Sequence, residues 1–551
     1  MIKKGVLKEY NGTLDRAVIP SGVTKIDKNA FFLCYLNTEV VIPESVTEIA
    51  PKAFMNSSAL DGIVVIPSAV RDIGERTFYG CTSLGGIVLP HGLTSIGDQA
   101  FGYCASLREI TVPDTVSHVG KAAFTSCRNL KSFKVGEGNP SLRTVDGSLY
   151  SKDGSSLIAY AIGKKEAEPR IPDGVTKICE EAFAECGALT RISIPDSVTE
   201  IEDGAFKRCD SLTAVTLPKG LKRISACMLA SSAIEELDVP NGVETVGEKA
   251  FAHCKQLKRL TLPRTVRRIE RNAFIGCGSG DLELRLSPDN KAFKLTDGIL
   301  YSHSGKRAVT HSPKALPTEL VIPEGVTRIE SGAFCGAKRL VRAVIPRGVT
   351  YIGDDAFDSC EALRETVLPS TLKEIGDGAF YGCKSLTEIN IPENVTKLGS
   401  CAFAECESLT RVTLPDGLKR VGNEPFEWCY SLTEIHVNMK KSYLLIKKRD
   451  PYTVLLAIIR GAVERYGRGK LTADEEPILS ELISDSLYGL MEQYNGYTPF
   501  IRYVTDKKLL DTDTASESLS NGSLPSESRA ILLDYIERHG KSPRFDKKYT
   551  L

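Results

Sequence analysis

Several chemistries are excluded by what this chain lacks. Its 551 residues hold one tryptophan and seven histidines. The histidines, at 91, 118, 253, 303, 311, 436 and 539, never pair at the helical spacing of a metal site. No two cysteines stand as Cys-x-x-Cys, so the zinc-ribbon and thioredoxin-like signatures are missing. Charge of either sign is not in excess: 70 Lys and Arg balance 70 Asp and Glu. A neutral chain offers no electrostatic footprint for nucleic acid or for an anionic membrane. No apolar run approaches the ~20 residues that span a bilayer. The opening "MIKKGVLKEYNG" lacks the apolar stretch of about 7–15 residues of a signal peptide, which points to the cytoplasm or to a leader upstream. "GCGSGD" at 276 precedes a strand and "YGRGK" at 466 lacks the Walker spacing, so neither reads as a phosphate loop. With these gone, no catalytic residue, cofactor or metal site is expected.

What the chain does have is a period. Prolines stand at 20, 43, 67, 90 and 113, at 172, 195, 218, 240 and 263, and at 323, 346, 369, 392 and 415, in steps of 22 to 24 within each set. Around each runs one pattern, shown almost whole by "IPENVTKLGSCAFAECESL" at 391. Ile, Leu or Val precedes the proline in all fifteen copies, and the residue three before it is usually apolar. Such alternation reads as a short strand with one buried face, which proline ends because it cannot donate to the ladder. A coil this short cannot bury its apolar face alone, so the expected object is a stacked solenoid.

Cysteine belongs to the same pattern. Twelve of the sixteen sit three residues after the repeat's aromatic, and Ser57, Ser231 and Ala337 are assigned to that slot in other coils. The slot is read as a small inward position filled by free thiols, since cysteine packs as a small hydrophobe.

The recurring residues "IP…VT.IG..AF..C.SL", which run through about four-fifths of the chain, resemble the BspA-type leucine-rich repeat family. The resemblance implies a leucine-rich-repeat solenoid that binds a protein, glycoprotein or host surface. It also implies a bacterial adhesin-like role at the cell surface.

The first prolines of the three sets, 20, 172 and 323, lie 152 and 151 residues apart. Between sets come "VDGSLYSKDGSSLIAYA" and "TDGILYSHSGKRAVTHS", each read as a hairpin, with turns at Asp153-Gly154 and Ser304-Gly305. The N-terminal "GVLKEYNGTLDRAVIP" has the same shape, with Asn11-Gly12 at its turn. The expected organisation is therefore a mainly β solenoid over 1–437, about fifteen 23-residue coils. It carries a hairpin cap over 1–19 that begins at Met1 and hairpin insertions near 140–170 and 288–320. A helical domain follows over 438–551. Trp428, in the atypical last coil, is expected to cap the core. In the helical domain, helices are expected from Asp450-Pro451 to Gly467, from Thr472, from Thr498-Pro499, and from Ser526 to Gly540, with "TASESLSNGSLPSESR" as a polar linker.

Function is sought on the strand face. Two residues before each proline the side chain should point outward, and in the first set these residues are Val18, Val41, Val65, Val88 and Thr111. Strand propensity alone favours β-branched residues there. The competing reading is an exposed apolar stripe that binds a partner, the surface that the family resemblance also points to. The alternative is a scaffold or spacer whose helical domain carries the activity.

Overall fold

The computed structural model describes residues 1–10, 16–32, 39–277, 282–437, 452–469, 471–484, 490–491, 497–519 and 524–539. The fold is mainly β: a solenoid of about 18 turns at about 23-residue spacing, then five helices among the described residues. Two compact units divide it, Met1–Ser304 with Thr310–Ala315, and Gly305–Val309 with Leu316–Leu551.

Each coil contributes two short strands to parallel ladders. The strand before the proline pairs with its equivalent one coil on, as Arg191–Ser193 does with Ala214–Thr216. A two-residue strand follows the proline turn, and Glu200–Ile201 pairs in this way with Lys177–Ile178. All fifteen residues preceding the prolines are buried. The third side of the coil carries the aromatic. Two residues on each side of Phe54, Lys52 and Asn56 take left-handed backbone angles of φ +64° and +58°. Their N–H groups and that of Phe54 all donate into the next coil, to Glu75, Thr77 and Tyr79 at 2.7–3.0 Å. The same arrangement surrounds Phe357, with Asp355 and Ser359 left-handed. Because L-residues pay for this conformation, asparagine and glycine recur at these sites (Asn29, Asn56, Gly204, Gly382).

Inside, the rings form columns. Phe31, Phe54, Phe78, Phe101 and Phe124 stack at 4.6–5.6 Å in the first unit. Phe334, Phe357, Phe380, Phe403 and Phe426 stack at 5.1–5.9 Å in the second. The thiols do more than fill space. Cys81, Cys104 and Cys127 donate to the carbonyls of Phe54, Phe78 and Phe101 in the preceding coil, at 3.1–3.2 Å. Cys360, Cys383 and Cys406 do the same in the second unit, at 3.3 Å. Ser57 makes this bond to Phe31. The slot therefore favours a small donor, with Ala337 as an exception, and in the coil where Leu229 replaces phenylalanine the buried slot residue is Ser232, not Ser231.

Burial pushes the thiol of Cys127 up to about 12 and that of Cys186 up to about 11. Unfolded thiols ionise near 8.5. The stability these groups contribute is thus complete below about pH 8.5 and is lost as pH rises toward 12. In the native protein a thiol reagent should reach the half-buried Cys179, Cys227 and Cys401 first, and unfolding should release the rest. Rapid native labelling of Cys104 or Cys383 would contradict this packing. A Cys383→Ser variant should stay closer to wild type than Cys383→Val, which loses the donor and overfills the slot.

The insertions hold one more strand than the sequence reading allowed. Leu142–Val145 pairs antiparallel with Ser148–Ser151 through a turn at Asp146-Gly147, φ +46° and +73°. Ser148–Ser151 then pairs with Ser156–Ala159 across the Asp153-Gly154 turn. Asp297-Gly298 repeats the first of these turns between Phe293–Thr296 and Ile299–Ser302. At the N-terminus Ile2–Lys3 pairs with Val6–Leu7 through Lys4-Gly5, and the expected Asn11-Gly12 turn lies outside the described residues. A buried asparagine anchors each insertion. Asn139 Nδ2 donates to the carbonyls of Pro113 and Val116, while its Oδ1 accepts the N–H groups of Ser141 and Leu142. Asn290 makes the same four bonds at the second insertion. Because each asparagine is fully satisfied, its burial carries no desolvation penalty left unanswered.

In the second unit, helix α1 (Tyr452–Gly467) packs on the last strand, Glu434–His436, and Arg465 Nη2 donates to the Val437 carbonyl at 2.8 Å. Trp428 does not cap the core; it is left-handed at φ +57° and 45% exposed, and α1 covers the strand instead. Glu475 accepts from both the N–H and the hydroxyl of Thr472, a capping box before α2 (Glu476–Ser484). The helix α3 spans Thr498–Asp506. Part of the expected linker is helical: α4 covers Thr512–Leu519, because Asp511 caps the N–H groups of Asp513 and Thr514 and the side chains of Ala515 and Leu519 are buried. The helix α5 spans Ser526–His539; Gly540 lies outside the described residues.

Candidate binding face

The strands before the prolines form a surface with two outward rows. The row four residues before the proline is mostly charged and pairs across strands. Arg342 contacts Glu365 at 3.4 Å and Arg259 contacts Glu236 at 2.5 Å, and Glu109 of this row is held below the usual carboxylate range by the ammonium of Lys134, which reaches it from the other row. Exposed pairs of this kind contribute little to stability. Their effect is to leave the flank electrically neutral.

The row two residues before the proline holds the sequence-predicted residues. Val18 is 62% exposed, Val65 53% and Val88 50%; Val41 is half-buried and Thr111 exposed. Val18 stands opposite Val41 in register, and Val65 opposite Val88. Ile63, which sequence reasoning missed, extends the patch: it is 64% exposed and occupies the row where most other coils carry charge. Its register partner is Gly86, and a side chain there would meet Ile63 Cγ1 at 3.4 Å, so the isoleucine lies over bare backbone. The signal was present in "GIVVIP", where an apolar residue replaces the charge four before the proline.

The family described as the BspA type leucine rich repeat region (6 copies) matches residues 2–131, 62–152, 164–283 and 314–442. The chain belongs to the BspA-type leucine-rich repeat family. No curated protein matches it. Among solved structures it is similar to a leucine rich cell surface protein from Faecalibacterium prausnitzii, at 28% identity over 51% of this chain and 90% of that one, with a TM-score of 0.39. A leucine-rich repeat protein from Bacteroides ovatus shares 25% identity over 78% of this chain and 88% of that one, at a TM-score of 0.32. The pneumococcal vaccine antigen PcpA shares 20% over 61% and 86%, at 0.43.

In the second unit of this BspA-type chain the same row begins with Val321 and Val367, both exposed, around the half-buried Val344, then turns polar at Asn390 and Thr413. In the middle set the row is Arg170, Ser193, Thr216, Asp238 and Thr261. One potential ligand cluster exists among the described residues: Cys401, Glu424 and Glu427 bring donor atoms within 4.8 Å of one another. Three half-buried donors fall short of the four of a structural zinc site. No described helix is long and apolar enough to cross a membrane.

Proposed function

We propose that this protein is a non-catalytic binding protein whose partner is a protein or glycoprotein, engaged by the apolar strip of Val18, Val41, Ile63, Val65 and Val88. The observation that carries this reading is the contrast along one row. Serine, aspartate, arginine and asparagine occupy the same strand position in other coils, so the coil does not require valine there. Exposed valines with the exposed Glu39 and Glu109 at their edge form the kind of patch that marks a partner site, with apolar area at its centre and polar groups at its rim. A leucine-rich-repeat solenoid is a protein-interaction scaffold, and the family resemblance adds an adhesin-like role at a cell surface.

The test replaces Val65 with Lys and Val88 with Glu together. The two strands are adjacent and in register, so the new charges can pair across them and the fold should persist, with a melting temperature within a few degrees of wild type. Partner recovery on the immobilised double variant should drop at least about tenfold. Recovery equal to wild type would remove this strip from the binding site.

A further inference from the structure

The third side of the coil, which carries the aromatic, changes charge along the chain. It runs from three residues before the aromatic to four after it, with Leu229 in the aromatic's place in one coil. Over the first five coils this side holds two carboxylates and five basic groups, and over the middle five it holds six and five. The last five coils, in the second unit, hold nine carboxylates against two ammonium groups, Lys338 and Lys384. The repeat does not require acid there, because the same positions take either sign elsewhere. A chain with no net charge has gathered carboxylates on one side of one unit.

Two exposed rings end that side. Trp428 is 45% exposed and Tyr430 is 77% exposed. Neither belongs to the phenylalanine column, which Phe426 completes, buried against Phe403 at 5.9 Å. In the coil before, the two positions hold Glu405 and Glu407, and the three coils before that have no aromatic there. The Glu405 N–H donates to the Glu427 carbonyl at 2.7 Å, so the two coils lie edge to edge and each ring stands one coil on from a carboxylate. These carboxylates are short of cations. Lys384 reaches Glu407 at 2.7 Å, and Glu405 accepts the Tyr381 hydroxyl. Glu424 and Glu427 meet no cation within ion-pair distance among the described residues, although their donor oxygens lie within 4.8 Å of one another. Desolvation, with Glu424 and Glu405 close by, holds the Glu427 carboxyl above the usual carboxylate range.

We infer that this aromatic and acidic corner of the second unit docks a basic segment of a partner polypeptide, one rich in lysine and arginine. Charge decides the occupant. An acidic or apolar partner would cover carboxylates with nothing to answer them. A lysine or arginine side chain answers both features of the corner: its cationic head lies over an exposed ring, and the carboxylates beside the ring accept its N–H groups. Tryptophan and tyrosine are also the residue types that most often anchor an interface. The corner lies on the third side of the coil rather than on the strand face, and it stands or falls without the valine strip.

The chain reports on this corner directly, because Trp428 is its one tryptophan. Hexaarginine titrated into the full chain should shift the tryptophan emission saturably, and hexaglutamate should not. Anisotropy of labelled hexaarginine then gives the affinity of each variant. Trp428→Ala combined with Tyr430→Ala keeps every charge and should weaken binding about threefold or more. Glu424→Gln combined with Glu427→Gln should also weaken it about threefold or more; it removes a like-charge repulsion, so its melting temperature should not fall. No saturable change in emission, or an affinity unchanged in either double variant, would overturn the assignment, since the peptide would then be bound by acidic surface at large. Sedimentation of the chain alone tests the other occupant. Salt-sensitive self-association, abolished in the double aromatic variant, would give the corner to a second copy of the chain, whose first coils are basic on the same side, and would refute a separate partner.

Discussion

Cutting Phe206 or Phe357 to alanine should cost its unit about 3–5 kcal/mol, whereas Lys222→Ala should change stability by less than about 0.5 kcal/mol. Phe357 shows why. Its ring is fully buried between Phe334 at 5.2 Å and Phe380 at 5.1 Å, so truncation leaves two ring faces without partners and a cavity that neither neighbour can fill without leaving its own column. The backbone around it is also committed, because Asp355, Phe357 and Ser359 donate to Asp377, Ala379 and Tyr381 of the next coil. A collapse that filled the hole would pull on those bonds. Phe206 is equally buried and stacks on Phe183 at 5.1 Å. Lys222 is exposed on the same unit as Phe206 and makes no ion pair among the described residues. Denaturant melts of the three variants decide: similar midpoints for Phe206→Ala and Lys222→Ala would be incompatible with a stacked core. In a repeat array each coil is stabilised mainly by its neighbours, so the loss should also reduce cooperativity and broaden the transition.

The regular parts of this fold were legible because the repeat states the same physics fifteen times. Proline marks the strand end and the preceding aliphatic residue marks the inner face. The aromatic and the slot three residues after it mark the column, and the parallel ladders follow from these. Reading failed where a residue acts once or where its role depends on a neighbour in space. The two-residue turn at Asp146-Gly147 matches a known hairpin signal, but it stands seven residues before Asp153-Gly154, in a stretch that reads as one continuous strand. Ser231 does not fill the slot, because Leu229 holds the aromatic's place and puts the slot at the buried Ser232. Trp428 looked like a cap because it was unusual; nothing in sequence tells that a helix some 20 residues later would take that role. The candidate strip was legible as a row of valines, but Ile63 was not: its exposure depends on Gly86 lying opposite in the next coil.

The cap at the end of the second unit includes one contact too close for any side chain. A terminal coil exposes a core that stacking would otherwise bury, and its outer strand presents an unpaired edge. Helix α1 meets that strand at Gly461. A Cβ at this position would lie 2.6 Å from the Ile435 carbonyl oxygen and 3.1 Å from its carbon. Ile435 cannot retreat freely, because its strand is in register with Arg411–Thr413, where Val412 faces it. Gly461→Leu should therefore lift α1 away, weaken the Arg465 bond to the Val437 carbonyl, and cost about 2–3 kcal/mol. Gly467, at the far end of the same helix, has nothing within 4 Å. There alanine relieves the entropic cost of glycine, so Gly467→Ala should be neutral or stabilising by up to about 1 kcal/mol. Helix propensity alone predicts the same sign at both positions; opposite signs require the contact with Ile435. Hydrogen exchange locates the effect: amides of Glu434–His436 should lose protection in Gly461→Leu and keep it in Gly467→Ala, while the coils around Phe357 stay protected in both. If Gly461→Leu leaves both stability and the protection of that strand intact, α1 is a passenger on the last coil, and the core of this unit is closed without it.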